Sequence, residues 1–418
     1  MRLTLINQFY TPDISPTAHL CASLAEHRAA MGDHVTVVTG RGGYIAPVGS
    51  SADLDSGVNV IRLWTTQLRS QSLLRRLLDW LTFYVSALCQ TVRLPPQDVI
   101  VCLTTPPYIA LAGVLHKLLN PQTKLVLWNM DCYPEALERT GMIRPGGWVS
   151  RIMRAINRGL FRRVDHLVCL DPAMRDLLQQ YATIDHPLAC SVIPNWESAD
   201  LFPARTAAMK WDHPVVESLG GKFVVLYLGN AGYGHEFATT IDAAAALRDD
   251  PVVFLFVGGG ARRPWIIQQA ERRGLTNIVL LDYVPKDTTP AVMGVANCAL
   301  TTLENYAAGV MSPSKLHSNL AMGLPVLYIG PGKTNVDEAV ARFGCGVSVR
   351  PGDTAAVVGF VRELLHDPAR ESLLRERART AFETTYSDAR ALPQFDEAFQ
   401  ELLNSPLTRD SAINQTRP

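Results

Sequence analysis

The sequence predicts an α/β protein built from two doubly wound, Rossmann-like domains that face a central cleft. Two successive series of short apolar strands alternate with helices, and residues 197–220, which lack periodicity, separate the two series. The chain has 418 residues, more than a single hydrophobic core usually contains. We therefore assign residues 1–196 to the first domain, 221–386 to the second, 387–404 to a C-terminal helix and 405–418 to a disordered tail.

The composition is that of a globular protein, and its charge balance bears on which partners the chain could bind. Hydrophobic residues make up 47% of the chain, and 39 Lys and Arg residues balance 39 Asp and Glu residues. The overall charge therefore gives no reason to expect a nucleic-acid partner. Eight scattered cysteines without a C-x-x-C pair predict reduced thiols in a cytosolic protein, and neither a disulfide framework nor a zinc site.

The loop after the first predicted strand is a candidate part of the cleft. The apolar run Leu3–Ile6 is too short for a signal peptide and predicts a strand, and Tyr10, Ser15 and Thr17 lie in the loop that follows. Ligands of doubly wound sheets bind beyond the carboxyl ends of the strands. This loop is therefore expected either to face the cleft or to serve as a simple connection.

Asp131 follows the apolar run Lys124–Trp128, which predicts a buried parallel strand. A carboxylate in that position is expected at the edge of the cleft, where it could position or deprotonate a hydroxyl group. Asp131 could also cap the helix that begins near Pro134, and the two roles are compatible.

Basic residues form a stripe along the predicted helix from Trp148 to Arg163. At steps of three and four residues, one face carries Arg151, Arg154, Arg158 and Arg162. The helix has almost no acidic partner for them, so the stripe either faces solvent or contacts anionic lipid head groups or a polyprenyl diphosphate. The stretch Leu73–Cys89 is similarly either a core helix or an amphipathic helix lying in the plane of a membrane.

The second domain begins with the predicted strand Lys222–Leu228, followed by a glycine-rich turn. Such a turn allows the backbone to approach a diphosphate closely. Its candidate ligand-binding residues are Gly229, Asn230, Gly232 and His235. Further strands are predicted at Val252–Val257, Ile278–Leu281, Cys298–Thr302 and Val326–Ile329, and one helical region at Ala355–Thr384.

A short helix between two of these strands has both ends marked in the sequence. Ser312 suits the N-cap, Pro313 the first helical position and Gly323 the left-handed residue that ends the helix. Ser314 and Lys315 lie in its first turn, where free N–H groups and the lysine charge could bind a phosphate. The alternative is an ordinary helix with a surface lysine.

Three segments together resemble the family 4 glycosyltransferases, specifically the bacterial branch with the colanic-acid and N-acetylfucosamine transferases. Ser-Pro-Ser-Lys-Leu at 312–316, with Leu-Ala-Met-Gly-Leu-Pro-Val at 320–326, is similar to the donor-binding helix of that family. Asp131-Cys-Tyr-Pro-Glu135 is similar to its Asp-Leu-Trp-Pro-Glu motif, and Gly229-Asn-Ala-Gly232 to its Gly-Asn-Leu-Gly segment.

The resemblance implies the GT-B fold and a retaining transfer of sugar from a nucleotide sugar, UDP- or GDP-linked, to a polyprenyl-diphosphate-linked saccharide. It assigns catalysis to Asp131 and Glu135, donor binding to the glycine-rich turn, Ser314, Lys315 and Ser318, and a cleft position to the Tyr10 loop. The resemblance implies that the enzyme needs no cofactor or metal. It also implies a cytoplasmic enzyme that associates with the anionic surface of the inner membrane. The segments Gly40–Gly43 and Asp53–Asp55 only weakly suggest a phosphate loop and a metal motif, and surface loops are favoured for both.

The chain departs from the family pattern at the donor site. The ribose-binding glutamate of the family falls on Ser318, its acidic partner falls on Val310, and Tyr233 and His235 stand where the family has a basic residue. These departures favour one alternative, a degenerate, non-catalytic partner subunit. Two further alternatives are a sugar-nucleotide epimerase of the same fold and a nicotinamide oxidoreductase. The epimerase would need acid and base groups on both sides of the sugar, and the oxidoreductase would need a G-x-G-x-x-G turn.

Overall fold

Seven parallel strands and six helices form the first half of the protein among the residues described here. The computed structural model describes residues 1–13, 15–41, 57–66, 73–184, 186–202 and 210–404. The strands are β1 (Arg2–Ile6), β2 (His34–Gly40), β3 (Asn59–Leu63), β4 (Val99–Leu103), β5 (Lys124–Trp128), β6 (His166–Cys169) and β7 (Cys190–Val192). The helices are α1 (Pro16–Ala30), α2 (Leu73–Arg93), α3 (Ala110–Leu119), α4 (Glu135–Arg139), α5 (Trp148–Phe161) and α6 (Pro172–Leu178).

Six parallel strands form the second half. After α7 (Val215–Leu219), the strands are β8 (Phe223–Leu228), β9 (Val252–Val257), β10 (Ile278–Leu281), β11 (Cys298–Thr302), β12 (Val326–Ile329) and β13 (Gly346–Val349). The helices are α8 (Ala238–Ala246), α9 (Arg263–Arg273), α10 (Thr289–Gly294), α11 (Lys315–Ala321), α12 (Asn335–Phe343), α13 (Thr354–His366), α14 (Pro368–Ala381) and α15 (Asp388–Asn404). A π-helical turn, Phe382–Tyr386, joins the last two helices.

The strand order places a ligand crevice in each sheet. The first sheet runs β3-β2-β1-β4-β5-β6-β7 and the second β10-β9-β8-β11-β12-β13. The order therefore reverses between β1 and β4 in one sheet and between β8 and β11 in the other. Ligands of doubly wound sheets bind at such switch points, beyond the carboxyl ends of the strands. This architecture confirms the predicted fold class, because the strands are buried apolar runs that need helices on both faces.

The C-terminal helix α15 packs against the first sheet. The ring of Phe395 meets Trp128, at the end of β5, edge-on with the centroids 4.7 Å apart, and Trp128 stacks on Trp196 at 5.5 Å. Asp396 binds Arg28 of α1 at 2.7 Å. Buried aromatic pairs of this kind contribute about 0.5–1.5 kcal/mol beyond their buried area. Both halves of the chain thus contribute to the packing around β5.

Most predicted strands lie where the sequence places them, and three local predictions need correction. The strand β13 was not predicted, since Gly346–Val349 is short and contains only two valines. The helical region Ala355–Thr384 is two helices, because Asp367 ends α13 and caps α14, accepting a hydrogen bond from the Arg370 N–H at 2.9 Å.

The third correction concerns the short helix after β11. The structure starts α11 at Lys315, so Ser314, and not Ser312, is at the N-cap, and its side chain makes no capping hydrogen bond. Pro313 lies before the helix. At the other end, Gly323 has φ +61°, which confirms the predicted left-handed stop. With seven residues, α11 provides only a weak dipole, so the charge of Lys315 itself matters more.

Candidate active site

Asp131 lies in the loop after β5, at the carboxyl edge of the first sheet. Thr104, which follows the neighbouring strand β4, accepts hydrogen bonds from the backbone N–H groups of Met130 and Asp131 at 3.0 and 3.1 Å. The Asp131 carboxylate receives no hydrogen bond from the residues that the structure describes. Burial raises the pKa of this carboxyl group to about 6. At neutral pH the group is ionised and available as a hydrogen-bond acceptor for a hydroxyl group.

Glu135, four residues further on, has a different environment. It is buried, and its Oε1 accepts hydrogen bonds from Arg154 at 2.7 Å, Gln180 at 3.1 Å and Tyr181 at 3.2 Å. Three donors thus hold Oε1 of this carboxylate inside the first domain, whereas Oε2 is buried and receives no hydrogen bond from the described residues. The two carboxylates of one motif therefore have different surroundings, Asp131 without a hydrogen-bond donor among the described residues and Glu135 with three.

Two glycine turns at the end of β8 and β9 pack directly on each other. The N–H of Gly229 donates to Val257 O at 2.8 Å and that of Ala231 to Gly259 O at 2.7 Å. A Cβ atom at Gly258, where φ is +133°, would lie 2.4 Å from the carbonyl oxygen of Gly229. Only glycine fits there, because the backbones of the two turns are in direct contact.

Lys315 reaches across to the first of these turns. Its Nζ donates to Asn230 O at 3.2 Å and lies 4.8 Å from the ring centroid of Tyr227. Burial lowers the pKa of this lysine to about 8. Among the described side chains, no carboxylate lies within ion-pairing distance of it. Lys315 is therefore a cation at the donor-side turn whose charge the described part of the protein does not neutralise.

The other predicted donor-side residues have more limited roles. Nδ1 of His235 donates to Thr302 O at 2.7 Å, and burial together with the Lys315 charge lowers the His235 pKa to about 3, so this ring is neutral near pH 7. Ser318 donates to Lys315 O at 3.2 Å, within its own helix. Asn230 Oδ1 accepts a 3.4 Å hydrogen bond from the Tyr283 hydroxyl. Lys315 is thus the cation that this part of the site offers.

The loop after β1 is divided between core and surface. Tyr10 is 2% exposed and belongs to the hydrophobic core, so its ring is not part of an open cleft surface. The hydroxyl groups of Ser15 and Thr17 are partly exposed and lie 2.9 Å apart at the start of α1. Of the three residues predicted in the cleft, these two can present polar groups.

Backbone contacts join the Asp131 loop to the second domain. The N–H of Cys132 donates to Val310 O at 3.1 Å, and the Arg139 side chain donates to Ala308 O at 2.5 Å. The segment that receives these bonds connects β11 to α11, whose first residue is Lys315. Sequence reasoning missed this connection because the contacts use backbone oxygens, which carry no sequence signal.

The arginine stripe on α5 is only partly free. Arg154 binds Glu135 and Glu138, each at 2.7 Å, so its charge is matched inside the domain, contrary to the expectation for this residue. Arg151, Arg158 and Arg162 are exposed, beside Trp148, which is 76% exposed. No helix among the described residues is both long and apolar enough to cross a bilayer.

Some sequence predictions concern residues outside the described ranges. These are Gly42 and Gly43 of the weak phosphate-loop signal, Asp53 and Asp55 of the weak metal motif, and the tail 405–418. Within the ranges that are described, no three His, Cys, Asp or Glu side chains come together in a way that could hold a metal ion.

Comparisons with known families and proteins are consistent with this geometry. Residues 17–196 match the model of a glycosyl transferase 4-like domain, and residues 222–367 match that of the glycosyl transferases group 1. WcaI of Escherichia coli K12, named as a glycosyl transferase of colanic acid biosynthesis, is 26% identical over 412 residues, which cover 94% of this chain and 98% of WcaI.

Solved structures share the fold at low sequence identity. Sucrose-phosphate synthase from Thermosynechococcus elongatus superposes with a TM-score of 0.71 at 16% identity, covering 96% of this chain and 98% of that one. Anabaena HepE, solved in complex with UDP-glucose, has a TM-score of 0.69 at 14% identity, covering 96% of this chain and all of that one. At this level of identity, the likeness establishes the architecture alone.

Proposed function

Because this chain belongs to the glycosyltransferases that combine a 4-like domain with a group 1 domain in the GT-B fold, we propose that it transfers a sugar from a nucleotide sugar to a lipid-linked acceptor. The observation that carries this proposal is a backbone contact between the loop that carries Asp131 and the segment that leads to Lys315 at the glycine turns. The 3.1 Å bond from Cys132 to Val310 joins the segments that carry these two residues.

The geometry suggests a role for each group. Lys315 and those N–H groups of the glycine turn that make no backbone hydrogen bond would bind the donor diphosphate and stabilise the charge that develops as it leaves. Asp131 would accept a hydrogen bond from the acceptor hydroxyl and take up its proton as the new glycosidic bond forms. For a retaining transfer, the bond to the diphosphate breaks and the bond to the acceptor oxygen forms on the same face of the sugar carbon.

The relatives support the chemical classes in this proposal. HepE is described with UDP-glucose, which supports a UDP- or GDP-sugar as the donor. WcaI is named for colanic acid biosynthesis, which supports a role in polysaccharide biosynthesis; the polyprenyl-diphosphate-linked saccharide is the acceptor that we propose for this role.

A second candidate, a non-catalytic partner subunit, is favoured by one observation. At position 318, where the family places a ribose-binding glutamate, the serine hydroxyl bonds back to Lys315 O. A chain that has lost nucleotide binding could retain the fold while serving as a subunit of another transferase.

Thermal unfolding with UDP, GDP, dTDP and CMP separates the two candidates. A ligand that binds only the folded state stabilises it by about 2.7 kcal/mol at 100 times its dissociation constant, which raises the melting temperature by a few degrees. We expect UDP or GDP to raise it, and turnover to follow with the matching nucleotide sugar and a lipid-linked acceptor. Absence of any shift with all four nucleotides would contradict the transferase proposal and favour the partner subunit.

We also propose that the first domain docks on the anionic cytoplasmic face of the inner membrane. The helix α3 packs against both α2 and α5, so these helices share one side of the domain. Exposed apolar side chains on them, such as Leu81, Leu118 and Trp148, lie on the same helices as the exposed arginines of α5. Apolar and basic groups together are what an interfacial lipid surface binds.

Charge reversal tests this docking surface. Each basic residue near an anionic membrane contributes roughly 1 kcal/mol, so the double change Arg151→Glu with Arg158→Glu should weaken binding by at least about tenfold. Sedimentation with vesicles of phosphatidylglycerol and phosphatidylcholine measures the bound fraction. The control, Lys222→Glu with Arg272→Glu, makes the same charge change at exposed sites of the second domain. If both double variants sediment with the vesicles to the same extent as the wild type does, the α5 arginines only face solvent.

A further inference from the structure

Arg262 and Glu304 form an ion pair attached to the donor-side glycine turn. The N–H of Arg262 donates to Ala231 O at 2.9 Å, and the N–H of Glu304 donates to Gly234 O at 2.8 Å. The guanidinium of Arg262 lies 3.4 Å from Glu304 Oε1. The backbone thus attaches both residues to one turn, at carbonyl groups three positions apart, and their side chains meet.

The pair retains hydrogen-bonding groups that the described protein does not use. Nε of Arg262 is buried without an acceptor among the described residues, and Glu304 Oε2 receives no hydrogen bond from them. Both side chains are partly exposed, at 33% and 25%. Burial raises the pKa of Glu304, and the negative charge of the nearby Glu236 raises it further. The partly exposed guanidinium of Arg262 can donate, and the Glu304 carboxylate can accept, so the pair can bind a ligand that carries both kinds of group.

The local charge indicates which kind of ligand fits. The pair is neutral as a whole, and Glu236, whose Oε1 caps α8 by accepting from the Thr239 N–H at 2.9 Å, adds a carboxylate beside it. The neutral pair and the extra carboxylate do not attract a diphosphate, whereas Lys315, which contacts the same turn from α11, is a cation without a carboxylate partner among the described residues. Hydroxyl groups of a sugar, each a donor and an acceptor, match the Arg262–Glu304 pair.

We propose that the Arg262–Glu304 pair binds the hydroxyl groups of the donor sugar, while Lys315 binds the diphosphate. This inference rests on the proposed function and divides the donor site into two parts on one turn. The pair would then be a specificity determinant: a site built to hydrogen-bond a hydroxyl group discriminates strongly against a ligand that lacks it, because its polar groups are left unpaired.

Isothermal titration calorimetry with matched ligands tests this division. The ligands are UDP-glucose with UDP, and GDP-mannose with GDP. The variants Glu304→Gln and Arg262→Gln should weaken nucleotide-sugar binding by at least about tenfold and leave binding of the bare diphosphate within about twofold. Arg273→Gln, which removes a cation paired with Asp242 at the far end of α9, is the matched control and should change neither affinity.

Each result has a distinct meaning. Equal weakening for the sugar nucleotide and the bare nucleotide, or no change in either, would overturn the assignment of the pair to the sugar. Melting temperatures of the variants identify any loss of affinity that comes from unfolding. The variant Glu304→Asp, which keeps the charge, should bind the nucleotide sugar more tightly than Glu304→Gln does. Failure of the wild type to bind any of the four ligands would refute the proposed function, and this inference with it.

Discussion

An Asp131→Asn variant is expected to lose about 10²–10⁴-fold in turnover while binding the nucleotide donor with nearly wild-type affinity. The substitution keeps the shape of the side chain and its loop, because Thr104 holds that loop through backbone N–H groups. It removes the carboxylate that, in our proposal, takes up the proton of the acceptor hydroxyl. The donor contacts are made by the other domain and should persist.

The pH dependence of turnover provides a second readout of the same role. Burial raises the Asp131 pKa to about 6, so the group is protonated below that pH and cannot accept the proton. Turnover of the wild type should rise with pH through about 6, and this rise should be absent in Asp131→Asn. Asp176→Asn, an exposed carboxylate in the same domain, should behave as wild type. Full turnover of Asp131→Asn would refute the catalytic assignment.

A Lys315→Ala variant is expected to bind nucleoside diphosphate about 10- to 100-fold more weakly than the wild type. Hydrogen bonds to charged groups contribute about 1.5–3 kcal/mol, and about 1.4 kcal/mol corresponds to a tenfold change in affinity. Lys315 is the cation at the turn that no carboxylate of the described protein neutralises, so little else can replace it. Calorimetric titration with UDP and GDP measures the loss.

The lowered pKa of Lys315 adds a pH signature to this prediction. Burial lowers it to about 8, so the apo protein loses this charge as the pH rises above that value. Diphosphate affinity of the wild type should therefore be full near pH 7 and fall above pH 8, and Lys315→Ala should lack this fall. Lys222→Ala, an exposed lysine of the same domain, is the control. An unchanged diphosphate affinity in Lys315→Ala would remove Lys315 from the donor site.

Local features of the chain were enough to predict the architecture. Strands such as β5 and β9 are continuous apolar runs, and their bounds in the structure are those that the sequence predicts. The positions of Asp131 and Lys315 followed in the same way, from a carboxylate after a strand and a marked helix start. Marginal local signals failed: β13 is too short to stand out, and the start of α11 was misplaced by two residues.

The sequence by itself determined the two doubly wound domains and the two residues expected to carry the chemistry, because period, burial and turn residues are local properties. Only the tertiary structure decided which charges are free. Arg154 was expected to be unpaired, yet it binds Glu135 and Glu138 of another helix, and Arg262, which follows β9, meets Glu304, which follows β11. Such pairs join residues 16 to 42 positions apart. Their formation depends on strand order and helix packing, which no local pattern encodes.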